Sequence, residues 1–261
     1  MRTLHRIGAF FYETYYLGLR TTRRFLRVPA NWISIIFFPL VQLLVFSQLY
    51  QDFAALPAFG GVSYLTYLAP GQIVFAAFSA VGWASYGLLV EYRNGYLDRL
   101  RSSPISHWSI LAGEMLPLFF QAAAMGGILL LVSVLLGASL ATGAGGFLLV
   151  LLLCGLFGIA FAGVSFVPAL LTRSEQATSA ISLLMFPVIF ISTAFVPREL
   201  MPGWMQVVND WNPVTFQIEA IRALMIDGYD WNAVGSAVLA TVVMGVLLQG
   251  ATIIAFRRLA R

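Results

Sequence analysis

The sequence predicts an all-α polytopic membrane protein, and three observations lead to that prediction. Hydrophobic residues fill 60% of the 261 positions, charged residues fill only 10%, and the mean hydropathy is +0.86. A surface that faces water carries charges at about a quarter of all positions, so most of this surface is expected to face lipid. The apolar residues also form long blocks, and several reach the roughly 20 residues that a helix needs to cross a bilayer.

Six of these blocks are predicted to be transmembrane helices. Their approximate bounds are 32–49, 64–89, 110–136, 147–171, 177–195 and 231–256. Prolines fall inside some of the blocks, among them Pro39, Pro70, Pro117 and Pro187. Each proline removes a backbone donor from the helix and favours a kink, which membrane helices tolerate where neighbouring groups satisfy the freed carbonyls.

The positions of the arginines predict the orientation of the chain. Every arginine except Arg198 and Arg222 precedes the first block, follows the last, or falls in the second or fourth connection. Because basic residues accumulate in cytoplasmic loops, both termini are predicted to be cytoplasmic, which requires an even number of crossings. We therefore expect a multi-pass protein of the cell membrane. Arginines and Glu13 interrupt the start of the chain, so no cleavable signal peptide is expected.

Residue types that are rare or missing exclude several kinds of site. A Walker A loop needs a lysine to reach the nucleotide phosphates, and all 15 basic residues here are arginines. ATP-driven work would therefore require a separate subunit. The single cysteine, Cys154, predicts neither an intrachain disulfide nor a cysteine metal cluster, and His5 and His107 have no partner at ligand spacing. No catalytic residue and no metal site is predicted.

Three segments outside the blocks are informative. Residues 4–25, within the N-terminal stretch 1–30, mix aromatic side chains with arginines, which is typical of a helix lying in the cytoplasmic interface. The connection at 91–104 is amphipathic and suits either a docking element for a soluble partner or an ordinary surface loop. Residues 196–220 are too apolar for a simple loop, and we expect short helices there that enter the outer leaflet without crossing it.

Two motifs in these segments resemble those of the membrane subunits of type-2 ABC exporters, in particular the daunorubicin-resistance branch. The first motif consists of Glu91, Arg93, Gly95, Leu97, Leu100, Ser103 and Pro104. The second follows the fifth block and consists of Phe195, Pro197, Pro202, Trp204, Asn212, Pro213 and Arg222. Both occur in the expected order and on the expected sides, and the resemblance spans nearly the whole chain. A mild departure at residues 96–98 reads Tyr-Leu-Asp where members often carry Thr-Leu-Glu.

The resemblance implies a single permease domain over residues 1–261 that serves efflux, including antibiotic resistance. Residues 91–104 are then a coupling helix that docks on a cytoplasmic ABC ATPase, through Glu91, Arg93, Gly95, Leu97, Arg99, Leu100 and Pro104. Residues 196–220 are then a re-entrant element that caps the pathway, with Pro197, Pro202, Trp204, Asn212, Pro213 and Arg222 as its key residues. The partner ATPase uses ATP and Mg²⁺, this chain binds no cofactor, and a second permease subunit, identical or not, completes the pathway. No nucleic acid partner is implied.

Other functions are weighed against export. A membrane enzyme needs a nucleophile, an acid–base pair or a metal set facing a cavity, and Glu114, Glu175 and Glu219 have no such partners in the sequence. A secondary transporter is expected to carry charges near the midplane and paired broken helices, but the sequence predicts no buried charge pair and no internal repeat. A scaffold without transport stays open. The cargo is expected to be amphipathic, drug-like or lipid-like, and lipid-linked polysaccharide is the alternative.

Overall fold

The computed structural model describes residues 2–27, 29–82, 84–94, 107–184 and 186–259, and within these ranges its regular structure is helical. The first half contains α1 (Arg2–Leu26), α2 (Pro29–Leu49), the 3₁₀ turns Gln51–Ala55 and Pro57–Phe59, α3 (Tyr64–Gly82) and α4 (Ala84–Arg93). The second half contains α5 (His107–Leu135), α6 (Gly143–Phe161), α7 (Gly163–Thr172), α8 (Glu175–Leu183), α9 (Phe186–Phe190), the 3₁₀ turn Arg198–Leu200, α10 (Gly203–Asp210), α11 (Pro213–Ile226) and α12 (Trp231–Leu259). The predicted all-α class is confirmed for these residues.

Among the described residues, five stretches are long and apolar enough to cross a membrane: Trp32–Leu49, Tyr64–Gly82, Ala112–Leu135, Gly143–Thr172 and Trp231–Arg257. They coincide with the first, second, third, fourth and sixth predicted segments. In the fourth, α6 and α7 meet at Ala162, which keeps right-handed helical dihedrals, so the two helices continue one another. Pro39, Pro70 and Pro117 lie inside α2, α3 and α5, as predicted.

The fifth predicted segment is not among these stretches. Its described residues are helical in α8 and α9, residue 185 between them lies outside the described residues, and the regular helix ends at Phe190. Arg93 at the end of α4 is 3.0 Å from Glu175 at the start of α8. At the opposite end, the Tyr64 hydroxyl at the start of α3 donates to the carbonyl of Phe195. Residues 175–195 therefore extend alongside α3 and α4 from one end to the other, although no single helix does so.

Helix α3 occupies the centre of the bundle. Its span is 83% buried, compared with 28% for Trp32–Leu49 and 17% for Trp231–Arg257. It packs against α2, α5, α6 and α11, and its buried face includes large apolar side chains such as Phe75 and Ile73. The outer helices α2 and α12 instead expose apolar side chains, which is the arrangement expected of helices that face lipid.

Helix α1 lies along α5 and is joined to it closely. A Cβ on Gly113 would lie 2.5 Å from the Cβ of Leu17, so the two helices can approach each other only where α5 carries a glycine. Thr21 donates a hydrogen bond of 2.9 Å to the buried carboxylate of Glu114. Glu114 thus has a hydrogen-bond partner that joins α5 to α1, which is a structural role. The helix at 4–25 is confirmed, while its location in a membrane interface stays a prediction.

Candidate functional site

The segment predicted to couple to an ATPase lies only partly within the described residues. Helix α4 includes Glu91 and ends at Arg93, whereas five predicted docking residues fall outside the described ranges: Gly95, Leu97, Arg99, Leu100 and Pro104. The Arg93 guanidinium is half-exposed and forms an ion pair with Glu175 in the first turn of α8, where a carboxylate interacts favourably with the helix dipole. No spacing in the sequence relates Glu175 to this segment, because 82 residues separate it from Arg93.

The predicted outer element is organised by Asn212 and Pro213 at the start of α11. The Asn212 side chain accepts a hydrogen bond of 3.0 Å from the Val214 N–H, which caps the helix. Its amide nitrogen donates a 2.6 Å bond to the carbonyl of Val188 in α9. Pro213 occupies the first helical position, where its missing N–H costs nothing. The Asn-Pro pair therefore starts one helix and ties it to another.

Helix α10 within this element is amphipathic, and its apolar face points away from the rest of the protein. Pro197 is buried before the 3₁₀ turn, and Pro202 takes the N-cap position of α10. Trp204, Val207, Val208 and Trp211 form one exposed apolar face. The polar side chains of α10 bond within the protein, since Asn209 accepts a 2.7 Å bond from the Thr215 hydroxyl. An apolar face that points away from the protein suits a lipid environment.

Arg222 is the charged centre of the outer end. It is 8% exposed, and its Nη1 lies 2.5 Å from Glu219 Oε1. Its Nη2 donates a 2.6 Å bond to the carbonyl of Thr193, and the guanidinium carbon lies 4.0 Å from the ring centroid of Tyr67, a cation–π distance. The Thr193 hydroxyl also donates to Glu219. The Arg222–Glu219 ion pair is therefore buried on the arginine side only, since the Glu219 side chain is 43% exposed.

A cleft of about 560 Å³ opens beside Arg222. Its charged lining residues are Arg198, Glu199, Asp210, Glu219 and Arg222. Arg198 and Asp210 form a bidentate ion pair with both N···O distances at 2.6 Å. The hydrogen bond and the charge of Arg198 lower the pKa of the Asp210 carboxyl below its ordinary value. Both arginines of the cleft are therefore matched by carboxylates at hydrogen-bond distance.

The described residues contain no group of three or more histidine, cysteine or acidic side chains arranged to hold a metal ion. Cys154 is buried in α6, where it packs against the glycine face of α5 at Gly126. The chemistry of the outer end is thus that of hydrogen bonding and charge pairing.

Comparison with known proteins decides the family. The model of the ABC-2 type transporter family matches residues 12–226. The chain belongs to the ABC-2 type transporter family. It is 30% identical over 211 residues to a daunorubicin resistance ABC transporter permease protein of Streptomyces coeruleorubidus, with 79% of this chain and 72% of that protein covered.

Two further relatives of this ABC-2 family member have similar coverage. A protein of Cyanophora paradoxa, provisionally named a transport permease, is 31% identical over 227 residues, with 84% of this chain and 76% of that protein covered. A protein of Mycobacterium tuberculosis, named a probable doxorubicin resistance ABC transporter permease, is 25% identical over 213 residues, with 80% and 76% covered. The resemblance to drug-resistance permeases is confirmed.

The matched region of this ABC-2 permease includes both motif segments and ends at the last residue of α11. Of the predicted outer residues, Asn212, Pro213 and Arg222 contribute to one connected structure, whereas Trp204 lies on the exposed face of α10. Tyr67 and Thr193 were not predicted as partners of Arg222. No local sequence pattern relates them to it, since Tyr67 is 155 residues from Arg222. Glu219 was open to detection, because residues three apart share a helix face.

Proposed function

We propose that the chain is the membrane-spanning permease subunit of an ATP-driven exporter in the cell membrane. It moves an amphipathic, drug-like or lipid-like substrate out of the cytoplasm or the inner leaflet, and both its termini are cytoplasmic. The observation that supports this most directly is the family match over residues 12–226, which includes the segment at 91–104 and the outer element. Because the sequence has no lysine, it offers no Walker A loop, so a separate ABC ATPase with Mg²⁺ hydrolyses the ATP.

The coupling step is assigned to the end of α4 and the residues that follow it. The segment at 91–104 docks on the ATPase, and movement of the ATPase is passed to α4 and, through the Arg93–Glu175 ion pair, to α8. Movement of α8 and α9 reaches the outer element, since Asn212 bonds to α9 at Val188. A second permease subunit completes the pathway. The relatives named for daunorubicin and doxorubicin resistance favour a hydrophobic cargo.

Co-expression with the ATPase encoded beside this chain tests the proposal. We expect the two subunits to co-purify in mild detergent and to hydrolyse ATP. Combined Glu91→Ala and Arg93→Ala substitution is expected to separate them or to uncouple ATP hydrolysis from transport. Glu175→Gln is the matched control for co-purification, because it removes the intrachain partner of Arg93 and leaves the proposed docking side chains in place. Equal loss of co-purification in Glu175→Gln would assign the effect to the intrachain ion pair instead.

The outcome that contradicts the proposal is a chain that purifies without any ATPase. The cargo is tested separately on the purified complex, by stimulation of ATP hydrolysis. We expect hydrophobic amphipathic compounds to stimulate it. Stimulation by a polyprenyl-linked glycan, and by none of the hydrophobic compounds, would assign the complex to polysaccharide export.

A further inference from the structure

Residues 191–197 form a non-helical stretch that is buried against α3. Ser192, Thr193 and Ala194 are exposed by 3% or less, and a Cβ on Gly71 would lie only 2.7 Å from the Cα of Ala194. Non-helical backbone at such a site must satisfy its carbonyls through other protein groups or water. The groups that satisfy them therefore determine whether the stretch stays in place.

Side chains from two helices bond to these carbonyls. The Tyr67 hydroxyl donates a 3.2 Å bond to the carbonyl of Thr193, and the Tyr64 hydroxyl donates a 3.1 Å bond to that of Phe195. Arg222 adds the 2.6 Å bond to the Thr193 carbonyl and a 3.3 Å bond to the Thr193 hydroxyl. Side-chain hydrogen bonds, together with contact against α3, hold the stretch closed.

The guanidinium of Arg222 is incompletely satisfied in this arrangement. Its Nε is buried and has no hydrogen-bond partner among the described residues. An unmet donor on a charged group opposes burial, whereas water would satisfy all five N–H groups of an arginine. The cleft beside Arg222 offers a nearby route to water. The unbonded Nε of Arg222 thus raises the free energy of the closed arrangement, and this cost is absent when the stretch is open and water reaches the guanidinium.

Glu219 keeps the charge of Arg222 paired in either arrangement. The two residues lie three positions apart on α11, so both partners of the ion pair stay on the same helix when residues 191–197 move. The Glu219 side chain is 43% exposed and faces the cleft. Opening would therefore break the bonds that join Arg222, Tyr67 and Glu219 to Thr193 without leaving a buried charge alone.

We infer that Arg222 is a positioning residue for transport, and that Tyr67, Thr193, Glu219 and Arg222 form an outer latch. The latch holds residues 191–197 on α3 at rest and releases them while cargo leaves. This inference rests on the proposed export function and adds to it the identity of the moving part. When the latch opens, the guanidinium of Arg222 exchanges its hydrogen bonds to Thr193 for hydrogen bonds to water.

Cysteine labelling of the complete permease in membranes tests the latch. The native Cys154 is 1% exposed, so its labelling background is low. Ser192→Cys places a thiol on the buried stretch, and a membrane-impermeant maleimide reports its exposure. At rest, Arg222→Lys is expected to accelerate labelling about tenfold or more, because lysine keeps the charge but loses the planar fork that reaches Thr193. Tyr67→Phe removes one of the bonds and is expected to accelerate labelling less.

Arg198→Lys is the matched control, because Arg198 lines the same cleft and pairs with Asp210 but does not contact Thr193. Labelling of Ser192→Cys in this control is expected to match the parent. Unchanged labelling in Arg222→Lys, or equal acceleration in Arg198→Lys, would overturn the latch. If Arg222→Lys exposes Cys154 and so disrupts the bundle, Tyr67→Phe decides: acceleration supports the latch and a parental rate overturns it.

ATP dependence separates a latch from a merely structural residue. In the complex with the ATPase, ATP hydrolysis is expected to accelerate labelling of Ser192→Cys in the parent. In Arg222→Lys, where the latch is already open, ATP is expected to add little. An unchanged ATP response in Arg222→Lys would contradict the positioning role. The resting measurement needs no ATPase, so failure of the proposed export function is distinguishable from failure of the latch.

Discussion

At the scale of single residues, the outer end is built by side chains that each bond to more than one element. Asn212 caps α11 with its oxygen and reaches α9 with its nitrogen. Arg222 reaches α3 at Tyr67 and the non-helical stretch at Thr193. Such side chains are difficult to replace, because no other residue type presents the same donors and acceptors in the same directions.

Asn212→Ala is expected to lower the free energy of unfolding by about 1–3 kcal/mol, because it removes a helix cap and an inter-helix hydrogen bond. Thermal unfolding of the purified protein in detergent measures the change. Asn232→Ala is the control, since Asn232 is exposed at the start of α12 and its bond to the Asp230 carboxylate comes from the backbone N–H, which alanine keeps. Equal stability losses in the two variants would contradict the role of Asn212.

The Arg198–Asp210 ion pair predicts a local pH dependence. Arg198 lowers the pKa of Asp210 in the folded protein, so the pair stabilises the fold above the unfolded-state pKa, and this contribution is lost as the pH falls through the folded-state pKa. Because both side chains are exposed, the effect on stability is small. Carboxyl ¹³C NMR of labelled aspartate in Arg198→Gln is expected to show the pKa of Asp210 rising towards its ordinary value. An unchanged titration would contradict the pairing.

At the scale of elements, helices pack closely where small residues allow it and bond where polar residues meet. Gly113 permits α1 to approach α5, and Gly163 in α7 permits close contact with α12, since a Cβ there would lie 2.6 Å from the carbonyl oxygen of Leu248. Small residues have this role in membrane helices generally. The Thr21–Glu114 bond then fixes how α1 lies along α5.

Thr21→Val is expected to loosen α1 from α5 by about 1 kcal/mol, because one buried hydrogen bond to a carboxylate is lost. Trypsin cleavage at the arginines of α1 measures the change and is expected to become faster. Thr22→Val is the matched control, since the Thr22 hydroxyl bonds only to the Gly18 carbonyl of its own helix. Equal acceleration by Thr22→Val would indicate that local helix stability decides the cleavage rate.

At the scale of the whole molecule, the path of residues 175–195 determines how many times the chain crosses the membrane. They contact Arg93 at the end of α4 through Glu175 and the start of α3 through Phe195, so these contacts lie at or beyond the two ends of the second predicted segment, 64–89. If α3 and α4 cross the bilayer together, the fifth segment crosses it too, although its regular helix ends at Phe190 and an irregular stretch follows. An irregular path is tolerated there because protein side chains bond to its carbonyls.

Single-cysteine labelling tests this topology. Gln176→Cys is expected to react with an impermeant maleimide only from the cytoplasmic side, and Glu199→Cys only from the outer side. Both positions are exposed in the structure, whereas the native Cys154 is buried. Labelling of both cysteines from the same side would show that residues 175–195 do not cross the membrane.

The fold class, the resemblance to a family and most of the helices could be predicted from the sequence alone. Hydropathy and charge are local properties, so long apolar blocks predict spanning helices without knowledge of their neighbours. The same holds for Asn212 and Pro213, since a cap followed by proline at the first helical position is a local signal. Length and composition did not show that the regular helix of the fifth block ends at Phe190 and that an irregular stretch follows.

Which distant residues come into contact depends on how the helices pack, and the sequence pattern does not show it. Tyr67 and Arg222 are 155 residues apart, and Thr193 and Arg222 are 29 apart, so no helical or motif spacing relates them. Arg93 and Glu175 belong to different helices and meet only when α4 and α8 lie side by side. A buried arginine and a carbonyl without a helical partner each require another group, and the fold determines which group that is.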